Sequence, residues 1–432
     1  MVDLATVRLW GQRVGAVRWD AVRTRATFAF DPAFAKSGLE VAPLIMPLPV
    51  RGNGPVYSFS LLNPETYHGL PGLLADSLPD RFGNQLINAW LATQGRSPDD
   101  FSPVERLCYI GNRGMGALEF EPSVGNSPAT SQELEVAGLV SLAQQVLDQR
   151  EAFQVNLRDE ATEGLAALLA VGTSAGGARP KAIIAFNEET GVVRSGQVTA
   201  PPGFGYWLLK LDGVRDQTLA DPQDFGRVEY AYYLMATASG IEMSECRLYE
   251  EGPRAHFMTR RFDRTATGGK LHAQTLCALA HYDYSAPSTY EQAFQVMRRL
   301  RLPYTAAEQF FRRMAFNIIA RNQDDHTKNV SFLMSQAGKW ELAPAYDVAY
   351  AYEPGHRWTN QHQMAANGKR SDFTRADLRA VGREMNVAKA DDVVDDVLAQ
   401  VARWPEFATA AGVQPARIKA IGAAHRLFDG KG

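Results

Sequence analysis

The segment from Thr305 to Asp347 limits what this chain can fold into more than any other. Thr305 and Glu308 have the spacing of a capping box in front of Phe311, Met314 and Ile318, which predicts a helix ending near Ala320. That helix delivers the chain to a polar run, Arg321-Asn322-Gln323-Asp324-Asp325-His326-Thr327-Lys328-Asn329. Val330 to Met334, a turn over 335–339 and Trp340-Glu341-Leu342 then read as a hairpin. Pro344-Ala345-Tyr346-Asp347 brings in a further carboxylate, so the order is helix, polar loop, hairpin, carboxylate.

Phosphoryl transfer from ATP needs a group to take the proton of the attacking hydroxyl, oxygen ligands for Mg²⁺, and cations on the phosphates. Kinase catalytic loops place an aspartate base five residues before a metal-binding asparagine, and Asp324 to Asn329 is the same interval. Asp347 takes the place of the second Mg²⁺ carboxylate. Asp325 is the rival base, but the spacing favours Asp324. The spacing is weak by itself, because such residues crowd ordinary turns; its position between helix and hairpin gives it weight.

Two further segments fit the same chemistry. In Val171-Gly172-Thr173-Ser174-Ala175-Gly176-Gly177-Ala178-Arg179-Pro180-Lys181, small residues let backbone amides approach an anion. It is not a Walker A loop, since Ala178-Arg179 stands where Lys-Ser/Thr is required, and a plain turn is the competing reading. Lys210 lies in the apolar run Trp207 to Leu211, where an ammonium needs a partner such as ATP phosphates or a carboxylate. Glu229, early in the next helical pattern, is the candidate. The alternative is a solvent-facing strand lysine and a glutamate favoured at a helix N-terminus.

Elsewhere, residues 6–30 alternate apolar and polar as in a β-meander, with a turn at Gly11-Gln12-Arg13. A helical pattern runs through Phe82, Leu86, Ile87 and Leu91; 123–132 reads as a linker and 133–170 as helical. Strands are expected at Ala182–Phe186 and Tyr206–Leu211, then a helix from Val228 to Ser239 closed by Gly240, and mostly helix after about 265. A chain of 432 residues with 45% hydrophobic content supports two to three domains or subdomains. A net charge of −3 gives no global attraction for nucleic acid or anionic membrane, and three scattered cysteines form neither a disulfide framework nor a zinc site. The eight histidines lack metal spacing, and GxSxG and GxGxxG do not occur in the required setting. Without a signal-like start or an apolar run of about 18 residues, a cytoplasmic protein with no membrane association is expected.

Taken together the segments resemble the HipA family of bacterial toxin–antitoxin serine/threonine kinases, over almost the whole chain. The resemblance rests on Gln323 to Asn329 with Leu342 to Asp347, on Thr173 to Lys181, on Arg261-Phe262-Asp263-Arg264, and on Ala365 to Arg370 with Asp372-Phe373-Thr374. Leu74 to Gly83 and Gly111 to Leu118 extend it to the amino-terminal part. It implies an α+β chain with a two-lobed protein-kinase-like fold. A β-rich amino-terminal domain over 1–125 would precede a kinase core over 133–432, with an N-lobe to about 255, a hinge at 256–264 and a helical C-lobe over 265–432.

Carried over by position, the resemblance implies Asp324 as general base, Asn329 and Asp347 as Mg²⁺ ligands, and Lys210 as the ATP-phosphate lysine, with Glu229 its partner. Lys181 would assist at the phosphate loop containing Gly176 and Gly177, and Arg260-Arg261-Phe262 would be the hinge that meets adenine. Ser174 would be the autophosphorylated serine, although Arg179-Pro180 departs from the founding pattern. The partners implied are a HipB-like helix-turn-helix antitoxin, DNA through that antitoxin only, and an aminoacyl-tRNA synthetase as substrate, with growth arrest as the outcome. A low-activity kinase fold acting as co-repressor and a small-molecule phosphotransferase are the alternative readings.

Overall fold

Apolar residues at every second position make the first strands one-sided, and they pair accordingly. In the computed structural model, residues 2–50, 54–124, 131–148, 179–214, 224–265 and 267–428 are described. Strands β1 (Leu4–Leu9), β2 (Gln12–Asp20) and β3 (Arg25–Phe30) form the expected antiparallel meander, and β4 (Leu118–Glu121) adds to the free edge of β1. The first turn sits at Trp10-Gly11, one residue before the expected position, because both residues take positive φ (48° and 80°), the geometry of a two-residue hairpin. Ala5, Val7, Leu9, Val17, Phe28 and Phe30 face a core that also takes in Val104 and Leu107. Those two lie on the second of two helices, α1 (Arg81–Thr93) and α2 (Pro103–Ile110).

Helix α1 belongs to a different core. Its Phe82, Leu86, Ile87 and Leu91 are buried with Leu139, Val140 and Ala143 of α3 (Val136–Asp148) and with Ile184, Trp207 and Leu209 of a second sheet. That sheet is antiparallel, in the order β6 (Val193–Ser195), β5 (Lys181–Phe186), β7 (Gly205–Lys210), β9 (Arg254–Arg260), β8 (Cys246–Glu251). The amino-terminal part and the central sheet therefore share one apolar interior. Strand β9 runs through Arg260, five residues into the segment expected to be hinge. Helix α4 (Phe225–Ala238) lies against β8 and β9 and ends as expected at Ser239-Gly240, with Gly240 at φ 77°.

Beyond residue 265 helices dominate but are not alone. β10 (His272–Thr275), β12 (Ser331–Met334) and β13 (Trp340–Leu342) form a three-stranded sheet, and β11 (Ser288–Thr289) pairs in parallel with β14 (Met364–Ala365). The longer helices are α5 (Tyr290–Arg299), α6 (Tyr304–Ile319), α7 (Arg375–Glu384), α8 (Ala390–Ala402), α9 (Trp404–Ala410) and α10 (Pro415–Ala424). Helix α6 buries Phe310, Phe311, Met314, Phe316, Ile318 and Ile319. Its start corrects the sequence reading: Pro303 is the cap and Tyr304 the first helical residue, so Thr305 and Glu308 lie inside the first turns and form no capping box. Its end does not: Ala320 caps it and Arg321, at φ 59°, turns the chain out into the polar loop.

Candidate active site

Lys210 ends β7 and Lys181 begins β5, and the register sets the two directly opposite each other, so both side chains leave the same face of the sheet. The Lys210 ammonium lies 2.5 Å from Glu229 Oε1 on α4 and bonds also to the Asp347 carboxylate. Burial opposes its charge, but the Asp347 and Glu229 carboxylates outweigh that and hold the ammonium above the ordinary lysine range. Burial likewise works to raise Asp347, while Lys210 and Lys181 hold its carboxyl below the usual range. Of the two readings of Lys210 and Glu229, the buried pair is the one present.

The hairpin returns Asp347 to the polar loop. Tyr346 donates its hydroxyl to the Lys328 carbonyl at 2.6 Å and lies 2.5 Å from Ser331 Oγ, so the residues flanking Asn329 are fastened to the residue preceding Asp347. Asn329 sits in a short 3₁₀ turn, Thr327–Asn329, and its Nδ2 donates to the Asp324 carbonyl at 2.8 Å. That leaves the amide oxygen for another partner. Asp324 is half exposed, with His326 Nε2 3.8 Å from its Oδ1. Amide and carboxylate oxygens are the hard donors that Mg²⁺ takes, usually completed by waters and phosphate oxygens. Among the described residues no group of three or more His, Cys, Asp or Glu is placed to hold a metal ion by itself.

Asp325 cannot serve as the base. Its buried carboxylate accepts from Tyr290 Oη at 2.6 Å, His362 Nδ1 at 2.8 Å and Gln363 N at 2.7 Å. Arg426 Nη1 donates to the other ring nitrogen of His362 at 2.9 Å, which fits a neutral imidazole carrying its proton on Nδ1. The residue beside the candidate base is thus an anchor that holds the loop to α5 and to the segment before β14.

Lys181 has a carboxylate partner that the sequence reading did not name. Its ammonium is 3.2 Å from Asp80 Oδ2, with both side chains buried, and Asp80 also caps α1 through Gly83 N at 2.7 Å. Sequence reasoning assigned Asp80 no function; its signal was that of a helix cap ahead of Phe82. At the expected hinge, Arg260 pairs with Glu245 at 3.4 Å, away from the lysines, whereas the Phe262 ring lies 5.4 Å from that of Tyr346. Arg261 and Arg264 both pair at 2.7 Å with buried Asp263, which also accepts from Gly116 N of the amino-terminal part at 2.7 Å. Ser174, Gly176 and Gly177 lie outside the described residues.

The chain matches two family descriptions, the HipA N-terminal domain over residues 5–121 and the HipA-like C-terminal domain over residues 173–405. It belongs to the HipA family. Its fold is similar to HipA of Shewanella oneidensis MR-1, solved as a toxin–antitoxin complex with HipB and operator DNA. The TM-score is 0.65 at 16% identity, over 97% of this chain and 94% of that one. A kinase of Helicobacter pylori, CtkA, aligns over 51% of this chain and 88% of that one at 11% identity with a TM-score of 0.34. No curated protein matches the chain. The mixed α/β architecture is that of HipA, which has a kinase-like fold.

Proposed function

We propose that this HipA-family protein is an ATP-dependent serine/threonine kinase toxin of a type II toxin–antitoxin system. The observation that carries the reading is the contact of Lys210 with both Glu229 and Asp347, beside a loop in which Asn329 is fastened to Asp324. Lys210 would bind the ATP phosphates, held in place by Glu229. Asn329 and Asp347 would hold Mg²⁺, which when bound neutralises charge on the phosphate oxygens. Asp324, the exposed carboxylate of the loop, would take the proton from a substrate hydroxyl as its oxygen attacks the γ-phosphorus and ADP leaves. Gly176, Gly177 and Lys181 would complete the phosphate loop, Arg260 and Phe262 the adenine hinge, and Ser174 would be the site of autophosphorylation.

The resemblance supports an aminoacyl-tRNA synthetase as substrate and growth arrest as the consequence. The Shewanella complex supports a HipB-like helix-turn-helix antitoxin as partner, with DNA reached through it. No helix among the described residues is long and apolar enough to cross a membrane, in keeping with the cytoplasmic location proposed here. The test is incubation of wild type and Asp324→Ala with γ-labelled ATP and a cell lysate, followed by identification of labelled proteins. The reading predicts a labelled synthetase with wild type and none with Asp324→Ala. Equal labelling by both removes Asp324 from its role, and labelling confined to Ser174 without toxicity favours the co-repressor.

A further inference from the structure

Beyond α10 the chain turns back onto the start of the polar loop. Arg426 N donates to the Ile319 carbonyl at 2.9 Å, and the Ala424 carbonyl accepts from Arg321 Nε at 2.8 Å. Between them, Tyr232 of α4 donates to the Ala320 carbonyl at 2.5 Å and lies 3.0 Å from His425 Nε2. Residues 424–426 are thus sewn to residues 319–321, although far from them in the sequence. Arg426 also lies outside the residues that either family description matches.

The Arg426 guanidinium reaches further into the loop. Its Nη1 donates to the Ile318 carbonyl at 2.8 Å and to His362 Nε2 at 2.9 Å, and its Nη2 donates to Gln323 Oε1 at 3.2 Å. Its centre lies 5.5 Å from that of the Phe373 ring. Gln323, the residue before Asp324, is fully buried, and its amide is held from both ends. The oxygen accepts also from Arg321 Nη1 at 3.1 Å, and the nitrogen donates to the Thr359 carbonyl at 3.1 Å. His362, equally buried, grips Asp325, the residue after Asp324, at 2.8 Å. One guanidinium therefore fixes both neighbours of Asp324, Gln323 directly and Asp325 through His362.

The Asp324 side chain is itself half exposed, so its aim depends on the backbone that these two neighbours pin down. A general base must stand within hydrogen-bond reach of the hydroxyl, and a displacement of about 1 Å can cost about a hundredfold in rate. A planar guanidinium bonds two acceptors in fixed directions at once, which an ammonium does not. We infer that Arg426 is a positioning residue for phosphoryl transfer: it clamps Gln323 and, through His362, Asp325, and so aims the Asp324 carboxylate at the acceptor hydroxyl. Its role presupposes the kinase reading above and adds to that site a residue from the segment after α10.

The test follows label from γ-labelled ATP into the lysate proteins that wild type phosphorylates. Full-length Arg426→Met, Arg426→Lys, Asp324→Asn and the double variant of Arg426→Met with Asp324→Asn are compared, with ATP affinity and thermal unfolding measured on each preparation. Arg426→Met keeps an apolar stem beside Phe373 and removes the side-chain donors. Its transfer rate should fall at least about tenfold while ATP affinity stays within about twofold of wild type. Arg426→Lys keeps the charge without the fork and should fall between the two; it carries the comparison alone if Arg426→Met does not fold. In the Asp324→Asn background, Arg426→Met should bring no further loss, because no base is left to aim. A purely structural role would lower transfer alike in both backgrounds. Transfer at the wild-type rate by Arg426→Met or Arg426→Lys, an equal loss in both backgrounds, or a fall in ATP affinity that matches the fall in transfer overturns the role of Arg426 and leaves the kinase reading standing. Absence of transfer by wild type removes both.

Discussion

Asp325 and His362 meet at 2.8 Å in the interior, Oδ2 to Nδ1, while the neighbouring Asp324 holds its carboxylate half in solvent. Two adjacent acids thus have opposite duties. Asp325→Ala would leave Tyr290, His362 and Gln363 without their common acceptor, at a cost of about 3–5 kcal/mol. Asp324→Ala breaks no buried bond of its side chain and should stay within about 0.5 kcal/mol. Urea unfolding of the two variants checks the contrast.

Lys210→Met would remove the ammonium that bonds both Glu229 and Asp347. Phosphoryl transfer should fall at least about a hundredfold, because the positive charge on the phosphates goes and Asp347 loses its orientation. Glu229→Gln keeps the ammonium and a hydrogen-bond acceptor, so its loss should be smaller. Initial rates of γ-phosphate transfer to any accepted substrate rank the two; an equal or inverted order would remove Lys210 from the phosphate site.

The pair of Asp80 and Lys181 joins the cap of α1 to the first strand of the central sheet. Asparagine caps helices about as well as aspartate, so Asp80→Asn isolates the charge. Losing it removes one buried anion from beside the Lys181 ammonium and should destabilise by about 3 kcal/mol. If thermal and urea unfolding place Asp80→Asn within experimental error of wild type, Lys181 does not depend on this carboxylate.

Asp377 makes a pH-dependent contribution. Burial works to raise its pKa, but Lys369, Thr374 N and the Asn367 amide bring the carboxyl down to about 2. With the folded value below the unfolded one, the unfolded chain binds the proton more readily. The stabilisation is therefore complete above about pH 4 and lost as pH falls towards about 2. The stability gap between wild type and Asp377→Asn should narrow as pH drops from 5 to 3 and close by about 2 kcal/mol in full. A gap that stays constant contradicts it.

What could be read from the sequence was what neighbours in the chain decide. The meander, the helix through Phe82 and Leu86, the hairpin after Val330 and the five-residue interval from Asp324 to Asn329 depend on local periodicity and spacing. The pairing of Lys210 with Glu229 was legible as a cost, since an ammonium in an apolar strand demands an anion. The role of Asp325 was not, because its donors come from Tyr290 and from His362-Gln363, segments that only the folded chain brings together. The pairing of Asp80 with Lys181 was not legible either, for the same reason. The misplaced start of α6 is a matter of position: the helix begins at Tyr304, so Thr305 and Glu308 already lie inside it and form no cap.

Single-turnover transfer of the γ-phosphate by Asp324→Asn, with ATP affinity measured on the same preparation, tests the central claim most directly. If Asp324 takes the hydroxyl proton while Lys210, Asn329 and Asp347 bind Mg²⁺ and ATP, transfer should fall by at least about a hundredfold. ATP affinity should stay within about threefold of wild type, a difference of under about 1 kcal/mol. Undiminished transfer by Asp324→Asn, or loss of ATP binding equal to the loss of transfer, would contradict the assignment.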